Sequence, residues 1–273
     1  MKSLDDARLD PFRNLKRSNL TRWTRLFVAE GEKLTLRLAA SRHEFLSALL
    51  STEHAERLIP ELPAEADLFV LPKCEIERLI GFEFHRGVLA CGRRAKEPPL
   101  EEFAGRAGRL CLLAFPEIQD PDNLGAIVRT SCGLGADGIV LGPLSTYAFS
   151  RRVLRVSMGT AFELPVFEVE EIAATLRLLR ECRVESVAAV LEDAAIPLER
   201  YRAPERLALW FGNEAHGLPG SLVDACASRI TIPMDARADS LNVAMSVGII
   251  LFHLGAQRRG EGIDHAAGDV ART

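Results

Sequence analysis

The sequence predicts an α/β protein with a parallel sheet covered by helices, preceded by a smaller α/β unit. Three observations lead to that class. From about residue 105 onward, short apolar runs alternate with helical stretches, the pattern of strands threaded between helices on both faces of a sheet. Gly92-Arg93-Arg94-Ala95-Lys96-Glu97-Pro98-Pro99 is polar, charged and closed by two prolines, which suits a linker. At 273 residues and 48% hydrophobic content, the chain has length for two units and material for a full core. The boundaries read from these signals are 1–98 for the first unit, 105–258 for the second and 259–273 for a polar, flexible tail.

In the first unit, residues 27–31, 68–71 and 87–91 read as strands. Residues 32–40 and 44–50 have helical patterning, and Lys73–Ile80 is a short helix. In the second, Leu110–Phe115 is a strand, 123–134 a helix started by Asp122 as N-cap, and Gly138–Leu141 a strand. A helix at 170–181, strands at 184–191 and 207–211, a helix at 218–227 and a strand at 229–232 follow. Ser240 then caps a long apolar helix. Gly133-Leu134-Gly135-Ala136-Asp137-Gly138 satisfies the G-x-G-x-x-G dinucleotide pattern, but it closes a helix and enters a strand. The fingerprint works only in the opposite order, so these glycines read as a helix end and a turn.

Thirty-four Lys and Arg against 38 Asp and Glu leave a net charge of −4, so any nucleic-acid surface must be a local patch. One candidate patch is Arg13, Lys16, Arg17, Arg22 and Arg25, free of acids and joined by Trp23, the mixture that phosphate contact and base stacking need. The six cysteines are far apart with no C-x-x-C pair, which argues against a disulfide framework and a zinc site and fits a reducing compartment. No metal is expected. Residues 241–256 lack Lys, Arg, Asp and Glu but are too few to span a bilayer, and the acidic N-terminal stretch is no secretory signal. The expectation is a soluble cytoplasmic protein without a membrane partner.

Three segments carry the chemistry: Pro121-Asp122-Asn123-Leu124-Gly125-Ala126-Ile127-Val128-Arg129-Thr130; Gly212-Asn213-Glu214-Ala215-His216-Gly217-Leu218; and Ile232-Pro233-Met234 with Ser240-Leu241-Asn242-Val243-Ala244. Each begins at or just after the carboxyl end of an expected strand, where ligands of open α/β sheets bind. Glu214 stands between two glycines that allow close approach to the backbone. Ser240 and Asn242 sit at a helix N-terminus with free N–H groups.

In order and spacing, the three segments resemble the motifs of the SpoU/TrmH family of RNA ribose 2′-O-methyltransferases, with Ala215 standing where the family usually has Gly. Val156-Ser157-Met158-Gly159-Thr160 looks like a further family element. The resemblance implies S-adenosylmethionine as methyl donor, a structured ribosomal or transfer RNA as substrate, a deep trefoil knot, and a homodimer that completes the site. It places Gly212, Gly217, Leu218, Ile232, Met234 and Leu241 around the donor. Arg129 is implied to face the target ribose, with Asn123, Glu214, Ser240 and Asn242 as the other reacting-site residues. The first unit, through residues 27–33 and 87–90, resembles the family's substrate domain of the L30e/L7Ae type. A non-catalytic RNA-binding protein of the same fold is the alternative.

The residue types suit the reaction. A ribose hydroxyl is a poor nucleophile, and in-line positioning against a sulfonium methyl is worth roughly 7–11 kcal/mol in the best intramolecular cases. A guanidinium resists deprotonation, so Arg129 is expected to bind the adjacent phosphate and stabilise the developing alkoxide rather than remove the proton. His216 is a weaker candidate for a base.

Overall fold

The computed structural model describes residues 5–15, 24–235 and 237–259. It contains two sheets, one on each side of the extended stretch 94–99. The first is formed by β1 (Leu26–Glu30), β2 (Glu44–Ser51), β3 (Asp67–Leu71) and β4 (Val88–Arg93) in the order β1-β4-β2-β3. Helices α1 (Glu32–Ala39), α2 (Thr52–Leu58) and α3 (Lys73–Ile80) connect or cover these strands. The helix expected at 44–50 is strand β2, antiparallel to β4 and parallel to β3. Its slot between two strands buries both faces: Ala48 and Leu50 point into one core and Leu49 into the other. A short run apolar on both sides satisfies helical spacing and buried-strand spacing equally, and the tertiary setting chose the strand.

After α4 (Leu100–Gly105), seven parallel strands form the second sheet: β5 (Leu110–Phe115), β6 (Gly138–Leu141), β7 (Val166–Glu168), β8 (Glu185–Ala189), β9 (Ile196–Pro197), β10 (Arg206–Phe211) and β11 (Ser228–Thr231). Their order is β7-β6-β5-β10-β8-β11-β9. The helices are α5 (Pro121–Gly133), α6 (Arg151–Val156), α7 (Ile172–Glu181), α8 (Gly220–Ala225) and α9 (Val243–Arg259). The central strands explain the layering. Cys111, Leu113 and Phe115 of β5, with Leu207, Leu209 and Phe211 of β10, face a core closed by α5 and α9. Leu110, Leu112 and Ala114, with Ala208 and Trp210, face the opposite core against α4, α7 and α8. Alternate residues go to opposite faces, and because both are covered every residue of the two strands after Arg206 at the start of β10 is apolar.

The expected parallel α/β sheet is therefore present. Sequence reading did not foresee β7, α6 or the short β9. Asp120, not Asp122, caps α5, its carboxylate accepting from the Asp122 N–H at 2.7 Å. Gly133 closes α5 and Gly135 turns with φ +77°, as the helix-end reading required. None of the six cysteines, all among the described residues, is in a disulfide. Among the described residues no helix is long and apolar enough to cross a membrane, and no group of three or more His, Cys, Asp or Glu is placed to hold a metal. Residues 260–273 of the expected tail lie outside the described residues.

The first sheet docks on the α5/α6 side of the second. Phe27 packs against Phe149 and Phe162 with ring centroids 5.2 and 5.5 Å apart, and His43 meets all three rings. The Arg37 guanidinium donates to the Met158 carbonyl, and Arg151 pairs with Glu30 at 2.8 Å.

Candidate active site

Neighbouring strands β5, β10, β8 and β11 deliver four loops to one edge of the sheet, their carboxyl ends. There the chain order reverses: β6 and β7 lie to one side of β5, and β10, β8, β11 and β9 to the other. Such a switch point opens a crevice. At the same edge, a cavity of about 540 Å³ is walled by the ends of β8, β10 and β11 and the start of α9.

The loop after β10 is folded tightly on itself. Asn213 and Gly217 exchange backbone bonds, the Asn213 N–H donating at 3.1 Å and the Gly217 N–H at 2.9 Å. The Asn213 Oδ1 accepts from the Ala215 N–H at 2.8 Å. A Cβ on Gly212 would lie 2.2 Å from the Gly217 carbonyl carbon and 2.4 Å from the Leu218 nitrogen, so only glycine permits the closure. Gly217 has φ +69°, whereas Ala215 is not among the positive-φ residues, so alanine is accommodated there. The loop holds Glu214 at its tip, facing the N-terminus of α5.

The three motif segments meet through side chains. The Asn123 Nδ2 donates to Glu214 Oε1 at 2.8 Å, and the Asn242 Nδ2 donates to Asn123 Oδ1 at 2.9 Å. Residues 91 and 119 positions from Asn123 thus share its one amide. Asn242 also caps α9, its Oδ1 accepting from the Ala244 N–H at 2.9 Å. That corrects the expectation for Ser240: it lines the cavity, but Asn242 is the cap. The cap carbonyl accepts from the Ser246 N–H, one turn on, so the helix starts two residues later than expected.

Gly212, Glu214, Gly217, Leu218, Ile232, Met234, Ser240, Leu241 and Asn242 all line this one cavity. Asn123 joins it through the two bonds above. Arg129 does not: it is exposed on α5, absent from the lining, and makes no hydrogen bond or ion pair with a described residue. Of the basic N-terminal segment, Arg13 pairs with Asp10 at 2.8 Å and Arg25 donates to the Arg94 carbonyl at 2.7 Å. Lys16, Arg17, Arg22 and Trp23 lie outside the described residues.

Sequence reasoning missed several neighbours. Val190, Leu191 and Glu192 line the cavity from the end of β8, and Asn213 shapes the loop. The rule that ligands gather at strand carboxyl ends was the available signal for the β8 residues. Glu117, after β5, stands 3.5 Å from His216.

The sequence profile of the SpoU rRNA methylase family matches residues 111–252. The chain belongs to the SpoU rRNA methylase family. The match spans β5 to α9 and so contains every residue that lines the cavity. An uncharacterized tRNA/rRNA methyltransferase of Mycobacterium bovis is 32% identical over 256 residues, covering 91% of this chain and 88% of that one. The 23S rRNA (guanosine-2′-O-)-methyltransferase RlmB of Acinetobacter baylyi is 29% identical, covering 68% and 76%. Among solved structures, an AdoMet-bound rRNA methyltransferase from Sinorhizobium meliloti superposes with TM-score 0.81 at 26% identity, covering 94% of this chain and 97% of that one. Membership of the SpoU family bears out the enzyme class and methyl donor expected from the three motifs.

Proposed function

We propose that this SpoU-family protein transfers a methyl group from S-adenosylmethionine to a ribose 2′-OH of a structured ribosomal or transfer RNA. The Glu214–Asn123–Asn242 chain at the rim of the cavity carries the reading, because it gathers polar groups from all three motifs beside an apolar pocket. Phe211, Ile230, Ile232 and Leu241 offer apolar walls for an adenine, and about 540 Å³ lies within the range of small-molecule sites. Glu214 and Glu192 bring negative charge to the same cavity, which suits ribose hydroxyls and a sulfonium. When bound there, S-adenosylmethionine supplies an electrophilic methyl group.

The chain's own groups then have distinct tasks. Asn123 and Asn242 fix the motif loops against each other, so that the pocket is formed before substrate arrives. Glu214, anchored by Asn123, orients donor or ribose hydroxyls, and Ser240 adds a hydroxyl at the edge. Arg129 binds the phosphate beside the target ribose and stabilises the alkoxide as the proton leaves through phosphate or water.

Arg129 performs that task in the pocket of a second copy. Met245, Ile249 and Phe252 of α9, at spacing i, i+4, i+7, are 61%, 38% and 59% exposed, and with Thr130 they line an apolar groove of about 510 Å³. A homodimer that covered this groove would bury the face next to Arg129 and carry its guanidinium across the interface. The reading includes an N-terminal domain of the L7Ae type that grips RNA. It also includes a trefoil knot, consistent with α9 returning to pack on α5 after β11. Mechanical stretching that releases the full contour length of the chain would contradict the knot.

Calorimetry with S-adenosylmethionine, followed by mapping of 2′-O-methyl sites in RNA from cells with and without the protein, tests the whole reading. Donor binding together with a methyl site lost on deletion is the expected result. Donor binding without any lost site in ribosomal or transfer RNA would refute the substrate class, and no donor binding would refute catalysis and leave an RNA-binding protein.

A further inference from the structure

Five cations form a row that leaves the site and crosses to the N-terminal domain. Arg152 and Arg155 lie one turn apart on α6. Asp122, next to Asn123, pairs with Arg152 and also feels the charge of Arg155. A Cβ on Gly125 would lie 2.6 Å from the Val156 side chain, so α5 and α6 run in close contact. Arg129 follows Asp122 by two turns on the same face of α5, about 10 Å along its axis. One turn further, Cys132 senses the charges of Arg37 and Glu163. Arg37 belongs to α1, where it bonds the Met158 carbonyl, and Lys33 precedes it by one turn on that helix.

The acids in the row are few and partly engaged: Asp122 is held by Arg152, Asp120 caps α5, and Glu163 is exposed. The side chains of Lys33, Arg129 and Arg155 make no hydrogen bond or ion pair with a described residue. By contrast, Arg8, Arg42, Arg57, Arg93 and Arg229 are each engaged by carboxylates. Three cations without a carboxylate partner among the described residues, in a protein of net charge −4, continue from the Arg152–Asp122 pair beside the motif-one asparagine and are placed for a polyanion.

We propose that the row from Lys33 through Arg37, Arg129 and Arg155 to Arg152 is a track for the RNA sugar-phosphate backbone, leading the strand from the N-terminal domain to the methylation pocket. The inference rests on the RNA-substrate reading above and adds where the substrate runs. Because Arg129 is a member of the row, the row borders whichever pocket that guanidinium serves, its own or that of a second copy. The track reads no sequence; it positions, as backbone contacts do. It also explains why a net acidic protein can hold RNA.

The test is the double variant Lys33→Gln/Arg155→Gln, which touches neither the cavity nor the cross-domain bond of Arg37. The control is Arg177→Gln/Arg180→Gln on α7, the helix on the other face of the sheet, which removes the same charge. Binding of a hairpin RNA is measured as a function of salt, alongside donor calorimetry, thermal unfolding and methylation kinetics. Each lost phosphate contact lowers the log–log salt slope by about 0.7–0.9, so the double variant should lose about 1.5 and the control nothing. KM for RNA should rise at least tenfold with kcat, donor affinity and Tm unchanged. A variant whose slope and affinity match both wild type and control overturns the track while leaving the substrate reading intact. Wild-type protein that binds donor but neither binds nor methylates RNA overturns both. Displacement of the hairpin by polyglutamate at concentrations below those of competing RNA overturns the track in favour of an acidic protein partner.

Discussion

Replacing Asn123 by Ala removes the side chain that, among the described residues, bonds to both of the other motif loops. Two bonds are lost: the donation to the Glu214 carboxylate at 2.8 Å and the acceptance from Asn242 at 2.9 Å. A hydrogen bond to a charged group contributes about 1.5–3 kcal/mol and a neutral one about 1 kcal/mol; for an exposed site the lower figures apply, giving at most about 2.5 kcal/mol. If that energy holds the pocket in its productive shape, kcat/KM for methyl transfer should fall roughly 60-fold. Asn123→Asp should do no better, since it keeps the acceptor for Asn242 but sets a carboxylate against Glu214. The assay is transfer of labelled methyl from S-adenosylmethionine to RNA, with a double-mutant cycle between Asn123→Ala and Glu214→Ala read by equilibrium unfolding. A coupling of about 1.5 kcal/mol is expected from the charged bond. Additive effects of the two substitutions, or full activity in Asn123→Ala, would show that the loops hold their places without this amide.

Gly212→Ala forces a Cβ to within 2.2–2.5 Å of the Gly217–Leu218 backbone, which cannot yield without opening the loop, so calorimetric donor binding should drop at least tenfold; unchanged affinity would mean the loop is not a wall of the donor site. Arg129→Lys keeps the charge but loses the forked geometry, and methylation should fall far more than donor binding; near wild-type rates would exclude a guanidinium role. If Arg129 acts across a dimer, mixing inactive Arg129→Ala and Glu214→Ala proteins should restore part of the activity, whereas a strictly self-contained site would stay silent. His43, 5% exposed between Phe27, Phe149 and Phe162, has its pKa lowered to about 4, first by burial and then by Arg42. Its Nδ1 accepts the Ala95 N–H at 3.0 Å, so the neutral ring is the folded form. The unfolded chain takes the proton near pH 6.5; stability from this group is therefore full above that pH and declines as pH falls toward 4, by about 3 kcal/mol in all. Unfolding of His43→Gln followed from pH 7.5 to 4 should lack that part of the decline, and parallel curves for the two proteins would refute the assignment.

The three motifs and the class of the larger domain were legible because their signals are local. A buried parallel strand writes itself as an unbroken apolar run, as in β5 and β10, and a loop that closes on itself needs glycine at 212 and 217 whatever surrounds it. The strand β2 was not legible: Ala48, Leu49 and Leu50 meet two different cores, a fact that exists only after three other strands are in place. The cap of α9 was equally hidden, since Ser240 and Asn242 are both good caps and the choice fell to the one whose amide also reaches Asn123. Short-range sterics and solvation thus determined, from the sequence alone, which segments are chemically special. Their convergence, the separation of Arg129 from the cavity and the cation row running from α6 to α1 depend on strand order across the sheet and on domain docking. Those are long-range choices, made by burial of whole faces rather than by any residue's neighbours in sequence.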